Sequence, residues 1–146
     1  MRLPSPLALD SNCLIYGFDA PGSPRSDFIR VAVFAPLAAG EMEALTSIVT
    51  LTELLVQPFE RGLPERAREL RAALEGLPGF SMVPVDADIA SEAARIRGMT
   101  GLRVPDAIQV ATAIVSGAAA LLTNDGRIGK AAVDIEVLVL DDLLGR

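Results

Sequence analysis

The chain has 146 residues, of which 51% are hydrophobic and 22% charged, and its formal net charge is −6. This composition excludes an intrinsically disordered chain. Because no apolar run approaches the roughly 20 residues that cross a bilayer, we expect a cytoplasmic protein without membrane segments. Histidine is absent and Cys13 is the single cysteine. Histidine-based triads, zinc sites of histidine or several thiolates, and internal disulfides are therefore excluded, which leaves carboxylates to carry any chemistry.

The spacing of apolar residues predicts strands and helices that alternate along the chain. The first half is predicted to contain the strand Leu7 to Asp10, the helices Ser11 to Phe18 and Ser26 to Ala39, the strand Glu43 to Val49, and a helix from Thr50 to about Phe59 that is stopped near Pro58. The second half is predicted to contain the helix Leu63 to Glu75, the strand Phe80 to Val85, the helices Asp86 to Arg97 and Pro105 to Ser116, and the strands Ala119 to Thr123 and Ile135 to Leu140. This alternation predicts the α/β class: a single domain over residues 1–146, with a central parallel β-sheet flanked by helices on both faces.

Four acidic residues lie at the ends of predicted elements, and each has an ordinary local explanation. Asp10 follows the first strand and suits the N-cap of a helix. Glu53 occupies the glutamate position of a capping-box pattern. Asp106 follows a proline in a first helical turn, where an acid suits the helix dipole. Asp125 lies in an Asn-Asp-Gly sequence, which is typical of turns.

The combined placement of these acids predicts a shared site, because ligands bind beyond the carboxyl ends of parallel strands. Asp10 and Asp125 follow predicted strands directly, and Glu53 lies one helical turn after a third strand. Asp106 opens the helix that leads into the strand before Asp125. Carboxylates gathered at one edge raise each other's pKa unless a cation compensates them. Since all the candidate ligands are oxygens, the pattern favours Mg²⁺ or Mn²⁺.

The negative net charge lowers the expectation of a nucleic-acid partner, since phosphate binding normally needs a basic surface. A cation held by the acids would invert the charge locally. All of the 13 basic residues except Lys130 are arginine, whose side chain suits forked phosphate contacts. Arg103 and Arg127 flank two of the acids and could hold phosphate, although solvent-exposed arginine is the simpler interpretation of each.

Other polar residues have structural interpretations. Asp86 and Asp88 are predicted to cap a helix, and Cys13 is predicted to be buried packing. Gln109 lies one turn after Asp106, and we interpret it as an amide on the helix surface rather than a residue of the cleft.

Four short motifs carry a resemblance to a known family. They are Leu9 to Tyr16, Thr52 to Leu55, Val104 to Ala113 and Leu121 to Asp125. In this order they resemble the motifs of PIN-domain proteins, above all the VapC-type toxins of bacterial and archaeal toxin–antitoxin pairs. The resemblance extends over essentially the whole chain, with Ser11 where threonine is more usual.

The resemblance implies a metal-dependent endoribonuclease that leaves 5′-phosphate and 3′-hydroxyl ends. It makes Asp10 and Asp106 the principal ligands of Mg²⁺ or Mn²⁺. Glu53 and Asp125 would complete the site, and either could accept the proton of the attacking water. The residues that would support the acids or contact the RNA are Asn12, Thr123 and Arg103.

The resemblance also implies two protein partners. One is a cognate antitoxin whose C-terminal segment packs across the toxin groove, and the other is a second copy of the chain in a homodimer. Apolar residues that could serve these contacts are Leu54, Leu55, Phe59 and the helix around Phe28 to Leu37. Core packing explains most of these residues equally well.

Two other functions fit parts of the pattern. A receiver-like phospho-switch also gathers acids at strand ends, but it needs a mid-chain aspartate on a strand and a late lysine. Here the mid-chain acid is Glu53 on a helix, and Lys130 lies in a predicted loop. A catalytically silent PIN-fold binding protein would keep the acids without the chemistry. Acetyl-phosphate labelling tests the first alternative, and Mn²⁺ titration tests the second.

Overall fold

A parallel β-sheet forms the centre of the described chain, which comprises residues 2–19, 21–131 and 134–145 of a computed structural model. Its strands are β1 (Leu7–Leu9), β2 (Ala44–Ser47), β3 (Phe80–Val83), β4 (Ala120–Thr123) and β5 (Val137–Val139). Their order is β3-β2-β1-β4-β5, and each neighbouring pair is parallel. The chain order reverses between β1 and β4, so the carboxyl ends of these two strands border the crevice where α/β sheets bind ligands.

Helices connect the strands. They are α1 (Ser11–Phe18), α2 (Pro24–Ile29), α3 (Ala35–Ala38), α4 (Val49–Glu60), α5 (Pro64–Glu75), α6 (Ala87–Thr100), α7 (Val104–Val115), α8 (Gly126–Ala131) and α9 (Leu140–Leu144). A π-helical turn, Arg30–Phe34, joins α2 to α3 inside the segment predicted as one continuous helix. Among the described residues, no helix combines the length and the apolar character needed to cross a membrane.

The residues of β1 alternate between two hydrophobic clusters. Leu7 and Leu9 belong to the cluster formed with α1 to α5 and α9. Ala8 belongs to the cluster formed with α6, α7 and α8. Successive residues of a strand point to opposite faces of the sheet, so the two clusters lie on opposite faces. The predicted α/β class and the helices on both faces are confirmed.

The structure confirms the end of one predicted helix and corrects that of another. The helix predicted from Thr50 to about Phe59 ends at Glu60, with Pro58 inside its last turn. A proline this near the C-terminus removes one backbone bond, and the Arg61 N–H still donates to the Gln57 carbonyl at 3.0 Å. The helix predicted to end at Arg97 continues to the residue before Gly101, which adopts the left-handed conformation (φ 74°) that stops it.

The C-terminal part differs more from the prediction. The predicted strand Ile135 to Leu140 is reduced to β5, and Leu140 instead begins α9. Neither α8, with 6 residues, nor α9, with 5, was predicted. Helices this short contain too few turns to show a helical repeat of apolar residues.

Candidate metal centre

Asp10 lies directly after β1 and is almost fully buried, with 4% of its surface exposed. Its Oδ1 accepts a hydrogen bond from the Ser11 backbone N–H at 2.8 Å. Its Oδ2 accepts one from Thr123 Oγ1 at 2.7 Å and one from Asn12 Nδ2 at 3.3 Å. Asp10 is therefore the N-cap of α1, as local sequence suggested, and its carboxylate is also held by residues of two elements.

The charged form of the Asp10 carboxyl is less stable than the charged form of an exposed aspartate. Burial raises its pKa, and the hydrogen bonds from Thr123 and Ser11 offset only part of this effect. The charges of Asp106 and Asp125 raise the pKa further. Neighbouring negative charges and lost hydration both disfavour the negatively charged carboxylate. A cation bound beside Asp10 would therefore stabilise this carboxylate.

Thr123 and Asn12 connect the acid after β1 to the loop after β4. Thr123 Oγ1 donates to Asp10 and accepts a hydrogen bond from the Asp125 backbone N–H at 3.0 Å. Asn12 Oδ1 accepts a hydrogen bond from the Asn124 backbone N–H at 3.1 Å. The two residues predicted to support the acids thus both contact Asp10.

Glu53 lies in the second turn of α4, and the residue as a whole is exposed to solvent. Partial burial of the carboxyl raises its pKa, and the charges of Asp10 and then Asp106 raise it further. The Ser11 and Gln109 side chains offset part of this rise. Glu53 therefore lies at the open side of the same acidic group.

The capping-box explanation of Glu53 is wrong. The N-cap of α4 is Ile48, whose side chain cannot accept a hydrogen bond, and no side-chain capping bond is formed there. Thr50, the expected cap, is instead fully buried inside the first turn. The local structural reason for a glutamate at this position is thereby removed.

Arginine side chains engage the other two acids. Arg103 Nε donates to Asp106 Oδ2 at 3.2 Å. Arg127 donates to both carboxylate oxygens of Asp125, from Nε at 3.1 Å and from Nη2 at 2.9 Å, and this forked contact lowers the pKa of Asp125. The Asp106 and Asp125 side chains are 14% and 19% exposed. Arg103, predicted as a phosphate contact, is thus an ion-pair partner here.

Charge interactions link each of the other three acids to Asp10. Asp106 and Asp125 act on Asp10, while Asp10 and Asp106 act on Glu53. Within the described residues, no three acidic or cysteine side chains are placed closely enough to hold one ion between them. Two of the carboxylates are paired with arginines instead. The donors nevertheless fit a divalent cation chemically, because all four are carboxylates and no salt bridge of the described residues engages the buried Asp10.

A buried polar chain connects the elements beneath these acids. Gln109, 3% exposed, donates from Nε2 to Thr50 Oγ1 at 2.7 Å. The Thr50 and Thr46 hydroxyls are 2.7 Å apart, and Thr46 Oγ1 donates to the Leu9 carbonyl at 2.7 Å. The chain runs from α7 through α4 and β2 to the end of β1, and thus joins the elements that carry three of the four acids.

The interpretation of Gln109 as a surface amide is therefore wrong. Its helix, α7, is apolar nearly all round, and a polar residue on such a helix is buried with it. This pattern was a usable signal for a buried amide. Two other structural interpretations are confirmed: Asp86 accepts a capping bond from the Ile89 N–H at 2.9 Å, and Cys13 is fully buried. Asp88, also predicted to be a cap, lies instead inside the first turn of α6.

A groove of about 640 Å³ borders Glu53 between α1, α4 and α5. Its apolar lining includes Ile15, Phe18 and Leu54, and its polar lining includes Arg61 and Arg66. Leu54 and Phe59 were both expected to serve a partner contact. Leu54 is 5% exposed and therefore buried, whereas Phe59 is 59% exposed.

Several solved structures share the fold of this chain. The chain is similar to a toxin–antitoxin complex from Klebsiella pneumoniae (22% identity, TM-score 0.67, covering 92% of this chain and 97% of that chain). It is also similar to DNA-bound VapBC from Salmonella typhimurium (16%, 0.70, 94% and 99%) and to PAE2754 from Pyrobaculum aerophilum (17%, 0.60, 99% and 97%). At these identities the structures show a shared fold, and comparison with curated proteins gave no match. The PIN domain family model matches residues 7–134, a segment that includes all four acids, so the chain belongs to the PIN domain family.

Proposed function

We propose that this chain is a Mg²⁺- or Mn²⁺-dependent endoribonuclease and the toxin of a toxin–antitoxin pair, with one domain over residues 1–146. The observation that carries the proposal is the state of Asp10. It is 4% exposed, its pKa is raised, and two further aspartates act on its charge. Ionisable groups perturbed by burial and by like charges gather at functional sites, because such an arrangement costs stability. Asp10 also lies where strand order reverses, at the usual ligand crevice.

The cation would be held by Asp10 and Asp106 as principal ligands, with Glu53 and Asp125 completing the site. When bound, a divalent ion offsets charge on the phosphate and favours ionisation of the attacking water. The three hydrogen bonds to Asp10 fix the orientation of its carboxylate before any ligand arrives. Thr123 extends this order to the loop that carries Asp125.

The proton of the attacking water needs an acceptor, and Glu53 suits this role better than Asp125. Burial and neighbouring acids raise the pKa of Glu53, whereas Arg127 lowers the pKa of Asp125. A carboxylate with a higher pKa takes a proton more readily. Glu53 is also exposed at the side of the groove, where water reaches it.

Cleavage of single-stranded RNA, with mapping of the product ends, tests the proposal. We expect cleavage in Mg²⁺ or Mn²⁺ that EDTA abolishes, and 5′-phosphate ends on the products. Asp106→Asn should abolish cleavage, whereas Asp88→Asn, which alters an exposed aspartate in the first turn of α6, should not. Calorimetric titration should show Mn²⁺ binding that Asp10→Asn weakens. A chain that binds no Mn²⁺ and leaves RNA intact would instead be a catalytically silent binding protein.

We further propose that a cognate antitoxin binds the groove beside Glu53, that the chain forms a homodimer, and that it acts in the cytoplasm. The support is that the Klebsiella pneumoniae structure is a toxin–antitoxin complex and that the groove has an apolar floor with arginines at its edge. Co-expression with the adjacent short reading frame should give a complex that suppresses cleavage. Uninhibited cleavage in that preparation would contradict the antitoxin, and a monomeric mass at micromolar concentration would contradict the dimer.

A further inference from the structure

A second cavity, of about 360 Å³, is lined by residues between the end of α6 and α8 and shares no lining residue with the groove. Asp106 is the acid that lines it, whereas Glu53 lines the groove. Three cationic side chains share its wall: Arg103, Arg127 and Lys130. Lys130 is the single lysine of a chain with net charge −6, so this concentration of positive charge contrasts with the rest of the molecule.

We propose that this cavity binds a backbone phosphate of the RNA strand next to the bond that is cleaved. We also propose that a cation at the acidic centre releases Arg103 and Arg127 to make that contact. The inference rests on the proposed ribonuclease function and adds to it a phosphate subsite and an order of events. Its ligand is a phosphodiester of single-stranded RNA.

The charges around the cavity form one interacting group. Arg103 is paired with Asp106 and Arg127 with Asp125. Each arginine also acts on the other's partner, since Arg103 influences Asp125 and Asp106 influences Arg127. An arginine with a carboxylate partner has little net charge to offer a phosphate. A divalent ion that took over the carboxylates would leave the charges of both arginines uncompensated.

Lys130 supplies charge to the cavity independently of this exchange. It lies in the last turn of α8 and is exposed. In the described residues, the salt bridges are formed by arginines, and none engages Lys130. Lys130 is therefore available to phosphate both with and without the cation, which separates its contribution from that of the arginines.

Binding of fluorescein-labelled single-stranded RNA, followed by anisotropy in Ca²⁺ and in EDTA with the RNA checked for integrity, tests the inference. Each phosphate contact contributes about 0.7 to the slope of log affinity against log salt for single strands. The single phosphate held in the cavity therefore accounts for about 0.7 of the slope in Ca²⁺, and Lys130→Met should lower the slope by up to that amount. That loss corresponds to about fivefold weaker binding at 0.1 M salt. Lys130→Arg should restore the slope.

Arg127→Gln has a sharper signature, because its two expected effects have opposite signs. Removal of the competing arginine should tighten Mn²⁺ binding, since Asp125 loses its partner. The same change should weaken RNA binding in Ca²⁺ and reduce the gain in RNA affinity from EDTA to Ca²⁺. A variant that merely disturbed the loop would lose affinity for both ligands.

Arg68→Gln is the matched control, because Arg68 is another exposed arginine paired with a nearby glutamate, on α5 away from the cavity. It should change neither affinity. If the native chain cleaves RNA but Lys130→Met and Arg127→Gln bind RNA with unchanged affinity and slope, the inference is overturned and the ribonuclease function stands. If the native chain binds no RNA in any divalent cation, both are overturned.

Discussion

Replacement of Asp10 by asparagine should stabilise the chain at neutral pH when no divalent cation is present. The variant keeps the size and one oxygen of the side chain but removes a charge that is 4% exposed and adjoins other acids. The Thr123 hydroxyl, which already accepts from the Asp125 N–H, can turn to accept a hydrogen bond from the new amide as well. The Asn12 amide, which is itself a donor, loses its 3.3 Å contact, so the substitution removes the charge at the cost of one long hydrogen bond.

The magnitude follows from opposing contributions at this residue. Burial of an ion costs several kcal/mol. Three hydrogen bonds to the carboxylate, each worth about 1.5–3 kcal/mol with a charged acceptor, offset most of that cost. The raised pKa of Asp10 means that the balance disfavours the ion. We expect the variant to gain about 1 kcal/mol, or about 3 °C in melting temperature for a domain of this size.

The pH dependence gives the effect a sign that can be checked. Because the pKa of Asp10 is higher in the folded chain than in the unfolded chain, the folded chain binds more protons between the two values. The free energy of unfolding therefore falls as the pH rises through that window, and the penalty is complete above it. Below the pKa of an ordinary aspartate, about 3.9, both forms are protonated and the advantage of Asp10→Asn should vanish.

Urea denaturation of both proteins in EDTA and in saturating Mg²⁺ is the assay. In Mg²⁺ the native chain should become the more stable protein, because a ligand at 100 times its dissociation constant adds about 2.7 kcal/mol. Asp10→Asn lacks a principal ligand and should gain much less. A variant that is less stable than the native chain in EDTA at neutral pH would refute the electrostatic reasoning. An equal response of both proteins to Mg²⁺ would refute the assignment of the ligand.

Three further substitutions test separate parts of the site. Glu53→Gln should slow RNA cleavage by about 10²–10⁴-fold in single-turnover assays if Glu53 accepts the proton, whereas Glu60→Gln at the end of the same helix should be neutral. Thr123→Val should lower Mn²⁺ affinity in calorimetry by about 10–100-fold, because it removes the donor that orients the buried carboxylate, and Thr123→Ser should retain it. Gln109→Leu should cost about 1–3 kcal/mol in urea denaturation by leaving a buried hydroxyl without its donor, whereas exposed Gln57→Leu should change stability by less than about 0.5 kcal/mol.

Much of the fold, and the placement of acids at the carboxyl edge of the sheet, could be predicted because simple rules govern both. Apolar periodicity identified all five strands of the described sheet, and a parallel sheet gathers the carboxyl ends of its strands at one edge. The positions of Asp10 and Asp125 follow from that rule alone. Glu53 was harder to assign, since a capping box and a functional acid have the same local sequence. The structure excludes the capping box, because the N-cap is Ile48 and not a hydroxyl residue.

Side-chain pairing could not be predicted in the same way. The buried chain from Gln109 through Thr50 and Thr46 joins residues far apart in sequence, and no local pattern specifies which hydroxyl meets which amide. The pairing of Arg103 with Asp106 has three-residue spacing on one helical turn, which a sequence can suggest. Which of several nearby carboxylates an arginine contacts depends on the charges that the fold brings around it, and the sequence alone does not give these.

The charge distribution shows how an acidic chain can act on an anionic polymer. Along α5 and α6, arginines pair with glutamates three or four residues away, for example Arg71 with Glu75 and Arg95 with Glu92, so these surfaces are locally neutral. In the candidate metal centre, the same kind of pair joins Arg127 to Asp125, an acid that a cation would also bind. If the proposed function holds, pairing would hide the positive charge from RNA until a cation bound, and an excess of acid over base would be compatible with phosphate binding. On this reasoning, bound cation raises the affinity for RNA, and bound RNA must raise the affinity for the cation by the same factor.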